Sequence, residues 1–168
     1  MKETPQQYTK RILGYQRGKK SMTVLSSTPQ KIGRLVRGIS KRRLLSRPDP
    51  ARWSIAEILA HIADTELVFG FRLRLVLGSN RTPIQAFDQD TWAGYSRYAE
   101  HDPYLSLEVY RVQRARNVRL LRLLPPRMWK HYGMHSERGK ETVTRMTKMM
   151  AGHDINHMMQ VVRILRSN

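Results

Sequence analysis

The chain contains no cysteine. That excludes disulfides, a cysteine nucleophile and thiolate ligation of a metal by the protein itself. Acidic residues are also scarce: 13 Asp and Glu stand against 31 Lys and Arg among 168 residues, a formal charge of +18. Long apolar runs are missing, and none approaches the ~20 residues that span a bilayer. The opening stretch, MKETPQQYTKRILGYQ, is basic and polar without an apolar signal-like segment. No secretory signal is therefore read, no membrane is expected as a partner, and a cytoplasmic location is expected. Internal repeats and low-complexity tracts are absent as well.

The charge excess attracts polyanions. Its arginines, however, are strewn through every segment and are not interleaved with aromatics as on a single-strand-binding surface. Solvated faces are the plainer reading. A basic nucleic-acid- or polyanion-binding protein, with any metal site structural or vestigial, stands as the alternative function. No helix-turn-helix, zinc-finger or OB pattern accompanies it.

What is present is a helical pattern with clear punctuation at RPDP (47–50), GSNRTP (78–83), HDP (101–103) and LLPP (123–126). The segment after Thr28-Pro29 carries Ile32, Leu35, Val36 and Ile39 at helical spacing, with Thr28 read as N-cap. Ser54 and Glu57 form a capping box ahead of Ile55, Ile58, Leu59, Ile62, Phe69, Leu73 and Val76. A third helix is read from Ser106 as cap, with Val109, Val112, Ala115, Leu120 and Leu123 near one face, stopping at Pro125-Pro126. The last runs from about Thr142 to Arg166, and residues 128–139 look extended or turn-like, consistent with a short hairpin. The expected fold is all-α: a four-helix bundle with a long irregular connection (78–104) between helices 2 and 3. One domain is expected over 1–168, with 1–27 as an N-terminal extension packing on the bundle.

His153 and His157 lie four apart in the apolar stripe of the last helix, with Met146, Met149, Met150, Val161 and Ile164. Their rings sit one turn apart and can converge on one point. Alone, the pair reads more readily as a hydrogen-bonded core pair than as a metal site. His61, at the edge of the stripe of helix 2, can complete a three-histidine site with an open coordination position. Glu66 falls inside that stripe, where a carboxylate needs a partner; it is a candidate general base, an orienter, or half of an ion pair. Asp64 is a second acidic candidate. Asn156 and Gln160 sit near the histidine face, Arg72 can hold an acidic substrate, and Trp53 and Trp92 can wall a pocket. His135 is placed at a pocket rim or on the surface, and His131 at the surface.

The segments RWSIAEILAHIADTE and HSERGKETVTRMTKMMAGHDINHMMQV resemble the helix-2 and C-terminal signatures of the DinB-like (DinB/YfiT-like) metalloenzyme family. FRLRLVL and FDQDTWAGY resemble intermediate segments of one branch. The resemblance covers about residues 8–165. It implies a four-helix bundle and a metal triad, here His61, His153 and His157, holding zinc or nickel. It also implies a divalent-metal-dependent enzyme acting on a small-molecule substrate, either a thiol-dependent S-transferase using a low-molecular-weight thiol co-substrate or a hydrolase, and often a homodimer. The apolar residues Ile155, Met158, Val162 and Leu165 off the main stripe of the last helix agree with a homodimer. The strong basic charge is a departure from the family pattern.

Overall fold

The computed structural model describes residues 3–167. The first two residues of the expected N-terminal extension lie outside that range. Four long helices make the bundle: α2 (Ser21–Val36), α4 (Ile55–Gly78), α6 (Pro103–Arg122) and α7 (Val143–Arg166). Shorter helices α1 (Pro5–Gln16), α3 (Lys41–Leu45) and α5 (Gln89–Tyr95) surround them, with a three-stranded sheet of β1 (Thr82–Ile84), β2 (Tyr132–His135) and β3 (Gly139–Thr142) at one end. Among the described residues no helix is long and apolar enough to cross a membrane.

The caps follow local chemistry. Ser54 and Glu57 form the expected reciprocal capping box of α4, and Thr142 caps α7 by accepting from the Arg145 amide. Thr28 does not start a helix. It lies inside α2, and its hydroxyl bonds back to the Val24 carbonyl at 2.8 Å. Pro29 is tolerated there for a tertiary reason. A helical proline cannot donate to the carbonyl four residues back, and that carbonyl, Leu25 O, instead accepts from Arg114 Nη1 at 3.2 Å. The boundary at residue 27 thus falls within α2, while residues 5–16 form α1.

The third long helix also differs from expectation. It starts at Asp102, whose side chain accepts from the Tyr104 and Leu105 amides, with Pro103 in its first turn. Its buried face is Ser106, Tyr110, Arg114, Asn117, Val118 and Leu121. The stripe expected from apolar spacing points outward, with Val109, Val112 and Leu123 exposed. The true face escaped because polar residues occupy it.

Helix direction follows from the contacts. Glu66 meets Arg114, and Gly70 abuts Asn117, so α4 and α6 run parallel. His61 meets His153, whereas Phe69 and Leu73 cluster with Met146 and Met150, so α7 runs antiparallel to α4. Parallel neighbours require a return crossover along the bundle, which accounts for the long connection. That connection is not wholly irregular. It contains β1, α5 and a 3₁₀ turn at Tyr98–Glu100. β1 pairs in parallel with β2, Ile84 opposite His135, a contact between segments some 50 residues apart that local sequence does not encode. The expected hairpin is present as β2 and β3.

At Gly152, α1 crosses α7 so closely that a Cβ would overlap the Ile12 carbonyl. The core divides into two clusters. One, around Phe69, Leu73, Val118 and Met150, lies toward the sheet; the other, around Ile58, Ile62, Tyr110 and Val161, lies at the opposite end.

Candidate metal centre

Between these clusters α4 presents His61 and α7 presents His153 and His157, all buried. The Nε2 atoms of His61 and His153 lie 3.0 Å apart, and those of His153 and His157 lie 3.1 Å apart. Zinc–nitrogen bonds of 2.0–2.1 Å in tetrahedral geometry place ligand nitrogens about 3.3 Å apart. The three side chains can therefore hold one metal ion.

Their protonation agrees. Burial drives the basicity of all three down; His61 and His153 fall well below the ordinary histidine value, with neighbouring histidines adding to the effect, and His157 falls to about 4. Neutral imidazole is the ligand form. His157 Nδ1 lies 2.9 Å from Gln160 Oε1. An amide oxygen only accepts, so Nδ1 carries the proton and Nε2 keeps its lone pair. His153 Nε2 then faces two ring nitrogens with at most one hydrogen to share. Hydrogen bonding alone satisfies only one of the two contacts, and a central cation accepting all three lone pairs removes that conflict.

One metal-free consequence is testable. The unfolded chain protonates its histidines near pH 6.5, whereas folded His157 resists until about 4. The unfolded state therefore binds more protons as pH falls through that window, and folding weakens; above it the histidine contributes nothing. For His157 alone the loss is about 2 kcal/mol at pH 5. Urea unfolding of metal-stripped protein should show at least that difference between pH 7.5 and pH 5, and His157→Gln should narrow it. If no triad variant narrows that difference, these imidazoles are not held neutral in the fold.

A cavity of about 790 Å³ opens on the site. His61 and His153 form part of its wall with Thr65, whose hydroxyl lies 3.4 Å from His61 Nε2. Val68, Phe69, Met146, Met149 and Met150 supply an apolar side.

The other expected site residues separate. Gln160 touches the triad, and the Trp53 ring packs 4.9 Å from His61. Arg72 and His135 line the cavity; His135 is buried, not at the surface, and His131 is half-buried. Asn156 instead accepts from Arg11 at 3.1 Å. Asp64 accepts from the Tyr98 hydroxyl at 2.7 Å. Trp92 packs on Phe87. Glu66 is fully buried, accepting from Arg114 Nε at 2.8 Å and Asn117 at 2.7 Å. Burial pushes its carboxyl up while Arg114 opposes the shift. Of the alternatives for Glu66, the ion pair matches this geometry.

Sequence reasoning missed the rest of that network. Arg114 also grips Asp154, beside His153, and Tyr110 donates to the same carboxylate at 3.2 Å. The signal was an arginine four residues from Tyr110 and Val118 on one helical face. The lining residues Tyr8, Arg138 and Glu141 were missed as well.

Fold and site together define a helical-bundle protein with a buried three-histidine centre on a cavity wall. The family model of the DinB superfamily matches residues 25–161, and the chain belongs to that superfamily. It is 25% identical to a protein of Oceanobacillus iheyensis over 142 residues, 82% of this chain and 79% of that protein. It is 23% identical to YfiT of Bacillus subtilis over 149 residues, 88% of this chain and 83% of the relative. Both relatives are named "putative metal-dependent hydrolase". The solved structure of YfiT, described as an unusual four-helix bundle topology, superposes with a TM-score of 0.81 at 20% identity, covering 98% of this chain and 89% of that one. That likeness concerns the fold.

Proposed function

We propose that this protein is a divalent-metal-dependent hydrolase of a small molecule, with His61, His153 and His157 as ligands of zinc or nickel. The observation that carries it is the convergence of three buried, neutral imidazole nitrogens, with His61 and His153 on the wall of a cavity. A bound divalent ion supplies Lewis acidity to whatever enters its remaining position. The chain does the rest. Gln160 fixes the ring and tautomer of His157. The Thr65 hydroxyl, beside His61, can pass a hydrogen bond to a ligand in the cavity. Val68, Phe69 and the methionines exclude water from the substrate. Glu66 and Asp154 act as positioning residues: through Arg114 they tie α4 and α7 to α6 behind the triad.

A second reading, thiol-dependent S-transfer, is favoured by one specific feature. Asp64 and Glu66, the carboxylates expected to serve as base, are both engaged away from the cavity. A thiol, with a pKa near 8.5, needs less help from a protein base than water does. The experiment is a panel of activated esters and amides, assayed with zinc- or nickel-loaded protein with and without low-molecular-weight thiols. Chelator-sensitive turnover without thiol is expected. Turnover only with thiol moves the assignment to transfer, and none in either case removes both.

A further inference from the structure

The cavity has a second polar wall that the triad does not use. His135 on β2 is 3% exposed and lines the cavity. Its Nδ1 accepts from the Glu137 amide at 3.2 Å, so in the neutral ring the proton sits on Nε2. That Nε2–H, buried, has no acceptor among the described residues. Glu141 on β3 is 1% exposed and also lines the cavity. Its Oε1 is shared by Arg138 at 3.2 Å and Arg145 at 3.3 Å, while its buried Oε2 has no partner among the described residues. His135 pairs with Gly139, and Glu141 pairs with Gly133. The two side chains therefore project from the same sheet face as diagonal neighbours, about 7–8 Å apart at their backbones. One orphaned donor and one orphaned acceptor thus share a wall.

Arg72 lies on the same cavity, stacked 5.6 Å over Phe87, with one guanidinium nitrogen donating to the Gln85 carbonyl at 2.6 Å. Its charge and that of Arg138 act on His135, helping burial to hold that ring neutral, with a pKa of about 4. A plain anion satisfies His135 and Arg72 but leaves Glu141 Oε2 unmet. A plain cation does the reverse. Buried polar groups are rarely left unpaired, and one ligand head carries both complements side by side.

We propose that this wall is a subsite for the α-amino-acid head of a zwitterionic ligand: His135 Nε2–H and the Arg72 guanidinium receive its carboxylate, and Glu141 Oε2 receives its ammonium. The apolar side formed by Phe69, Met146, Met149 and Met150 then carries the side chain toward the three histidines. As a substrate subsite it rests on the metalloenzyme reading; as a binding site it does not.

The test uses three matched probes on the full chain: L-norleucine, hexanoate, which lacks the amine, and pentylamine, which lacks the carboxylate. Binding is followed by calorimetry and by the His135 ring resonances. Norleucine should bind at least about tenfold more tightly than either partial probe, the scale of one charge-assisted contact, and should shift the His135 signals. His135→Phe should remove the advantage over pentylamine. Glu141→Gln, checked for folding by its melting profile, should remove the advantage over hexanoate. Equal binding of the three probes, or no binding of any, overturns the proposal, because a bridging water then satisfies the wall. Repeating the titration in chelator separates the two ideas: a norleucine preference that persists without metal upholds the subsite even if the metal reading fails.

Discussion

Protein purified without an affinity tag is expected to carry about one equivalent of zinc or nickel, and His153→Ala is expected to carry none. His153 is the middle imidazole of the proposed site: its Nε2 is 3.0 Å from that of His61 and 3.1 Å from that of His157. Removing it leaves two nitrogens and a void, and affinity should fall by far more than the 10–100-fold typical of an outer partner. Gln160→Ala supplies that milder comparison. It frees the Nδ1 proton of His157 without touching a ligand, so metal should be retained but bound about 10–100-fold more weakly. Plasma mass spectrometry on the three proteins, with competition against a chelator of known affinity, reads both effects. Metal-free wild type that takes up neither ion would make the histidines a core cluster. Equal content in wild type and His153→Ala would place the metal elsewhere.

Arg114→Met should be the most destabilising single change outside the triad, by about 3–5 kcal/mol, because it strands two buried carboxylates. Arg114 is 1% exposed, and its guanidinium bonds Glu66 at 2.8 Å, Asp154 at 2.5 and 2.9 Å, and the Leu25 carbonyl at 3.2 Å. Losing it also orphans the carbonyl that Pro29 leaves unmade. A typical domain has only about 5–15 kcal/mol in total, so the variant should unfold at much lower urea, if it folds at all. The combination Arg114→Met, Glu66→Gln and Asp154→Asn removes the stranded charges and should recover a large part of the loss. A single variant as stable as wild type, or a triple variant less stable than the single one, would show that the network does not hold the helices together as described.

Much of the site was legible in residue order. The Ser54–Glu57 box, the Thr142 start and the spacing of His153 and His157 depend on neighbours within four residues, and helix geometry acts on that scale. The hairpin after Pro125-Pro126 was legible for the same reason. Glu66 stood out as a carboxylate in an apolar stripe and did prove to need a partner.

What residue order could not supply was identity across the bundle. The buried face of α6 was misread because apolar spacing pointed to Val109 and Val112, while a polar face was turned inward to meet Glu66 and Asp154. Thr28-Pro29 looked like a helix start because only a distant arginine makes a proline acceptable in mid-helix. His135 looked peripheral until β1 paired with β2 and closed the cavity over it. Sequence alone therefore determined the two long helices that start at Ser54 and Thr142, with their caps, and three of the histidines that could meet, since these follow from local periodicity and side-chain chemistry. Tertiary structure decided which polar groups are paired, which are left waiting for a ligand, and which face of each helix is inside, because desolvation depends on what packs opposite and not on what comes next in the chain.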